Sequence, residues 1–222
     1  MSLPRAVRAV VFDMDGLLID TEAVIRQAMI EVSHARGESF PDEVFMGMVG
    51  LPEAASRGVA LDHFGDGFDY DAWLAEVWAV THERTAAGAP VKAGAHELID
   101  HLDRLGLPRA IATSSSRAAV ERHLRPSGLL ARFQAVAAAG DYARGKPHPD
   151  PFLTAAARLG VAPEACLALE DSHNGVRAAA AAGMMTVMVP DLLPVTEEML
   201  RLCVAVHASL CDVAGLLTPP SP

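Results

Sequence analysis

Apolar residues along this chain fall into short, nearly unbroken runs separated by stretches of helical period. The runs are Ala6–Phe12, Arg109–Ala112, Gln134–Ala139, Cys166–Leu169 and Thr186–Val189. Strands covered by helices on both faces read this way, whereas half-exposed strands alternate. The stretches between the later runs read as amphipathic helices. In Ala95–Leu105, Leu98, Leu102 and Leu105 share a face, and Gly106 stands where a helix ends. Ser115–Leu124, Pro151–Leu159 and Asn174–Ala182 follow suit, with Gly160 and Gly183 stopping the last two. Strand and helix in alternation predict a parallel α/β sheet.

One interval breaks the rhythm. From about Thr21 to Ala87 the pattern is helical throughout: Glu22–Arg36 stopped by Gly37, Asp42–Met48, Pro52–Phe64 and Asp71–Thr85. Pro52 suits the first position of its helix. Gly65-Asp66-Gly67 is a flexible joint, and Ala86 to Pro90 an exit linker. The expected class is therefore α/β, a doubly wound, Rossmann-like parallel sheet with an inserted α-helical domain. Residues 1–20 and 89–222 form the core and 21–88 the insertion, while Thr218–Pro222 reads as a frayed end.

Composition narrows the partners. With 18 basic against 28 acidic residues the net charge is −10, which argues against binding nucleic acid or an anionic membrane. No apolar run approaches the roughly 20 residues needed to span a bilayer. The N-terminal apolar run is closed by Asp13 and reads as neither signal peptide nor anchor. Cys166, Cys203 and Cys211 are widely spaced, so neither a disulfide framework nor a zinc site is expected, and a reducing, cytoplasmic setting follows.

Candidate chemistry gathers where strand runs end. Asp13 and Asp15 follow the first run, and residues i and i+2 of an extended chain project to one side. Ligands bind at that end of open α/β sheets. Two carboxylates held together repel, and a divalent cation with a taste for hard oxygen ligands, such as Mg²⁺, relieves this. Asp69-Tyr70-Asp71 has the same spacing but precedes a helix, and reads as a cap. Thr113-Ser114-Ser115-Ser116, at a strand end and helix start, reads either as an anion cradle or as plain N-capping. Lys146, in a proline-punctuated loop, is either a surface lysine or the neutraliser of a phosphate oxygen or a crowded carboxylate. Glu170 and Asp171 follow the fourth run, as added oxygen ligands or helix caps. His173 lacks a partner at zinc-ligand spacing. The four clusters together point to a phosphoryl group and magnesium.

The ordered set resembles the haloacid dehalogenase superfamily, in its branch with a helical cap inserted after the first strand. The resemblance runs from about Val7 to Ala214. Its motifs are Val11-Phe12-Asp13-Met14-Asp15-Gly16-Leu17-Leu18-Ile19-Asp20-Thr21-Glu22, Ala110 to Ser115, Gly145 to Phe152, and Leu169-Glu170-Asp171-Ser172-His173-Asn174-Gly175-Val176. It implies that Asp13 is a nucleophile forming an aspartyl-phosphate. It also implies that Asp15 protonates the leaving oxygen and later deprotonates water. Thr113, Ser114 and Lys146 would hold the transferring group, and Asp13, Asp15 (through its carbonyl), Glu170 and Asp171 would supply the Mg²⁺ ligands.

Within the branch, dehalogenases lack the second acid, which is present here as Asp15. β-Phosphoglucomutases share all four motifs, but Glu53 stands where they carry an arginine for a second phosphate, and Ile25 where they carry a histidine. The expected activity is a Mg²⁺-dependent phosphatase for a small phosphorylated metabolite of the sugar or nucleoside phosphate type. A phosphomutase is the alternative, and a non-catalytic metabolite-binding protein a third reading. Trp73, Trp78, Phe64 and Phe68 read as packing residues in the cap. Arg57 and His63 are candidates to face the cleft, and the oligomeric state is left open.

Overall fold

The computed structural model describes residues 3–51 and 53–217. The expectations for Pro52 and for Thr218–Pro222 lie outside the described residues. The strands are β1 (Ala9–Phe12), β2 (Arg109–Ser116), β3 (Ala135–Ala139), β4 (Cys166–Glu170), β5 (Met185–Met188) and β6 (Ala205–Val206). The helices are α1 (Thr21–Ala35), α2 (Asp42–Met48), α3 (Glu53–Phe64), α4 (Tyr70–Arg84), α5 (Ala95–Leu105), α6 (Arg117–Leu124), α7 (Asp150–Leu159), α8 (His173–Ala181), α9 (Glu197–Leu202) and α10 (Leu210–Val213). Among the described residues no helix is long and apolar enough to cross a membrane.

All strands pair in parallel, in the order β3-β2-β1-β4-β5-β6. The chain builds outward from β1 to β3, then restarts with β4 on the other side of β1. That reversal opens a crevice beyond the C-terminal ends of β1 and β4, the place where such sheets bind ligands.

The pleat sorts β1 between two cores. Val10 and Phe12 join an aliphatic core with α5, α6 and α10, and Phe12 meets the ring of Phe133 edge-on at 5.5 Å. Ala9 and Val11 face the opposite way, toward α7 and α8. That second face is built largely from alanine, including Ala110, Ala112, Ala137 and Ala168 on strands and Ala155, Ala156, Ala178 and Ala179 on helices. Small side chains on both partners let helix and sheet backbones approach closely. Phe12 is fully buried, and truncating it to Ala should cost about 3–5 kcal/mol.

Helices α1 to α4 share a core of their own, centred on buried Trp73, whose indole N–H donates to Ser33 Oγ at 3.0 Å. Phe64 stacks on Phe68 at 4.1 Å and both lie beside Trp73. Asp20 and Asp69 cap α1 and α4, accepting from the N–H groups of Ala23 and Ala72, each at 3.1 Å. The chain leaves and re-enters the sheet region side by side: Asp20 N–H donates to the Pro90 carbonyl (2.8 Å) and Lys92 N–H to that of Leu18 (2.9 Å).

Differences from the expected pattern have local causes. The second strand runs on to Ser116 through a register shift after Ala112, so α6 starts at Arg117 with Ser116 as its cap rather than at Ser115. β6 has two residues and α9 six, too few for either period to register, and α9 is held by Met199 packing on Val176 and Met188.

Candidate active site

Asp13 is the first residue past β1, and its N–H still donates to the Leu169 carbonyl of β4 at 3.0 Å. Sheet register therefore aims its side chain into the crevice. Gly16 turns the chain with φ +84°, and a Cβ there would lie 2.3 Å from Asp171 Oδ2. Only glycine lets this loop pass so close to the carboxyl that follows β4. On the other strand end, Gly175 of α8 presses on Glu170: a Cβ would fall 1.8 Å from Oε1.

Lys146 joins the two strand ends. Its ammonium contacts Asp13 Oδ1 and lies 2.5 Å from Glu170 Oε1, above the ring of Phe152 at 5.1 Å. The Lys146, Asp13 and Glu170 side chains are 7%, 9% and 0% exposed, so this is a desolvated cluster and not a surface lysine. Glu170 Oε2 accepts from the N–H groups of Asp171 and Ser172 (3.1 Å each) and from Ser172 Oγ (3.0 Å). Ser172 in turn caps α8 through the Gly175 N–H at 3.1 Å. Glu170 is therefore buried but fully satisfied. Asp171 is not: its Oδ1 is buried with no donor among the described residues.

Burial pushes the Asp13 carboxyl up, against the opposing pull of Lys146 and with further push from Glu170 and Asp15. Asp171 is raised well above the usual range by burial, then by Glu170 and Asp13. Burial would lower Lys146, but Asp13 and Glu170 outweigh it and hold the ammonium above the ordinary lysine range. Oxygens of Asp13, Glu170 and Asp171 lie within 4.8 Å of one another. With all three carboxyls ionised, as ligands to a cation would be, one ammonium leaves them two charges short of neutrality, and the unpaired Oδ1 of Asp171 is a ready metal ligand. The donor set fits a hard divalent cation such as Mg²⁺.

Asp15 is held from both sides. Thr21 Oγ donates to Oδ1 at 3.0 Å, and Ser115 Oγ to Oδ2 at 2.7 Å, with Thr113 Oγ at 3.4 Å. Because β2 continues to Ser116, its pleat turns Thr113 and Ser115 the same way, while Ser114 between them is exposed. Thr113 is nearly fully buried, its carbonyl accepting from Tyr142 OH at 2.8 Å. The structure thus brings Asp13, Asp15, Thr113, Lys146, Glu170 and Asp171 together and leaves the Ser114 hydroxyl outside. Ser115, one of the hydroxyl run read as a cradle or a cap, holds Asp15. Thr21 and Tyr142 are additions: Thr21 stood inside a motif segment where a single hydroxyl carries no spacing signal, and Tyr142 had none.

Two cavities adjoin Asp15 and the helical unit. One of 410 Å³ is lined by Asp15, Ser115, Arg122 and His123, and one of 310 Å³ by apolar residues such as Met29, Phe45, Met48 and Leu74. Glu22, Ile25 and Trp78 line both. Arg57 is paired with Asp71, and His63 Nε2 meets the Ser39 carbonyl at 2.7 Å, so neither is among the lining residues.

The family model described as haloacid dehalogenase-like hydrolase matches residues 7–183. The "Probable pseudouridine-5'-phosphatase" of Drosophila melanogaster is 35% identical over 94% of this chain and 92% of its own. Hexitol phosphatase B of Escherichia coli (strain K12) is 34% identical over 86% of each chain. Among solved structures, a HAD family hydrolase from Deinococcus radiodurans R1 with bound phosphate and sodium superposes with a TM-score of 0.81, at 29% identity, covering 96% of this chain and 99% of the other.

Proposed function

The chain belongs to the haloacid dehalogenase-like hydrolases, and within that family we propose that it is a Mg²⁺-dependent phosphomonoesterase acting through an aspartyl-phosphate. Its substrate is a small phosphorylated metabolite of the sugar or nucleoside phosphate type, in keeping with the names of the phosphatases it resembles. The observation that carries the reading is the single ammonium of Lys146 drawn between Asp13 and Glu170, beside an Asp15 gripped on both oxygens.

An Asp13 oxygen attacks phosphorus while the bond from phosphorus to the alcohol oxygen breaks. Asp15 gives its proton to the departing alcohol. Asp15 then takes a proton from water, the water oxygen attacks phosphorus, and Asp13 is regenerated as inorganic phosphate leaves. Thr113, the main chain at Ser114 and Lys146 hold the transferring group through both steps, which demand positioning and charge compensation more than activation. Asp13, Asp171 and Glu170, with the Asp15 carbonyl, would hold Mg²⁺, which when bound compensates charge on the phosphoryl oxygens. Residues 21–88 act as the cap that covers the crevice and selects the alcohol portion.

A folded preparation should hydrolyse p-nitrophenyl phosphate with Mg²⁺ and stop when a chelator is added. Asp13→Asn should fall to background while keeping its circular dichroism. Activity that survives in Asp13→Asn would remove the nucleophile, and with it the mechanism.

A further inference from the structure

Glu22 stands at the junction of the two cavities. It is the second residue of α1, next to Thr21, whose hydroxyl holds Asp15. Its side chain is half-buried yet receives no side-chain hydrogen bond among the described residues. The charges acting on it most strongly are Asp191, Asp15, Lys92 and Asp20. The one cation in that set, Lys92, is committed to Asp191 at 2.6 Å. Beyond Glu22 the 310 Å³ cavity is apolar, and its other charged residue is Glu53. Arg122, His82 and His123 line the 410 Å³ cavity, on the Asp15 side of Glu22 and away from the 310 Å³ cavity.

An occupant reaching past Asp15 thus meets a half-buried acceptor without a donor, then apolar walls. A hydroxyl supplies the missing donor. A second phosphate or a carboxylate placed in the 310 Å³ cavity would meet Glu22 and Glu53 with no cation among its described lining residues, and like charges facing each other in such a site cost specificity for that ligand. We propose that Glu22 is a specificity-determining residue that accepts a hydrogen bond from a hydroxyl on the alcohol portion of the substrate. The chain then favours polyol and sugar monophosphates whose uncharged alcohol portion enters the 310 Å³ cavity over bisphosphates that would place their second phosphate there. The inference rests on the phosphatase reading above.

The test compares kcat/KM on a panel of polyol and sugar monophosphates, their bisphosphate counterparts and p-nitrophenyl phosphate, for wild type, Glu22→Gln and Glu22→Leu. Wild type should prefer the best monophosphate over its bisphosphate. Removing the acceptor should lower kcat/KM for that monophosphate about ten- to a hundredfold relative to the aryl ester, chiefly through KM, because the substrate hydroxyl is then left without a partner. Glu22→Gln, which keeps the shape and one acceptor, should lose less. An unchanged ratio of monophosphate to aryl ester in both variants, with wild type active, overturns this inference alone. A bisphosphate preferred by wild type does the same. No turnover of any ester by folded wild type overturns the phosphatase reading as well.

Discussion

Replacing Lys146 with Met removes the one cation that, among the described residues, contacts a pocket of three buried carboxyls, while roughly preserving volume. Glu170 keeps its three donors from Asp171 and Ser172, but Asp13 loses its contact and the cluster is left with like charges only. Taking one partner from a buried ion pair costs about 3–5 kcal/mol. For a chain of this size a loss of 1 kcal/mol lowers Tm by roughly 2–4 °C, so Lys146→Met should melt about 6–20 °C below wild type in chelator. Asp13 and Asp171 are raised by burial, so their contribution to stability is present while they are protonated and is lost as pH rises through their folded-state values. Loss of the ammonium raises both acids further, so the deficit should widen as pH rises through the wild-type Asp13 value of about 8. Added Mg²⁺ binds the native state and stabilises it by mass action, and should narrow the gap because the variant lacks more positive charge. Turnover should fall at least about a hundredfold. Thermal melts in chelator and in Mg²⁺ across pH read all of this. A variant that melts within about 2 °C of wild type in chelator at neutral pH refutes the claim that the ammonium holds these acids together.

Gly175→Ala would drive a methyl group into Glu170 Oε1. It should cost about 1–3 kcal/mol of stability in a denaturant melt and lower turnover, because Glu170 must release Lys146 to make room; wild-type stability would mean that α8 is not pressed on the carboxyl. Burial, then Asp191 and Asp15, raises Glu22 to about 7 from an ordinary value of about 4.3. Its stabilising contribution is therefore complete below the ordinary value and is lost as pH rises through about 7. Glu22→Gln escapes that loss, so its Tm minus that of wild type should grow across this window in chelator, and a difference independent of pH contradicts the burial.

The acid pair after the first strand was legible because its information is local: an apolar run, then two carboxyls at the spacing that shares a side. Lys146 is the opposite case. Its own segment describes a surface lysine, and only the convergence of β1 and β4, 133 and 24 residues away, buries it. Ser114 and Ser115 show how fine the margin is. Both are serines in one hydroxyl run, and which one reaches Asp15 depends on β2 continuing past Thr113 in extended form. The helical unit announced itself by period alone, whereas β6 and α9 owe their shape to neighbours and leave no repeat of their own. Glu22 lay in plain view in the first motif, but its junction position exists only once α1 is docked.

The paired crossings at Asp20–Pro90 and Leu18–Lys92 have a consequence for how such a chain can diversify. The excursion between them begins and ends within one pair of main-chain bonds, so its two ends are already tied whatever lies between. Lengthening a stretch whose ends are clamped costs little conformational entropy, and no sheet register depends on its contents. New recognition surfaces can be tried in that segment like interchangeable tool heads on a fixed handle, while the strand ends that hold the acids stay as they are.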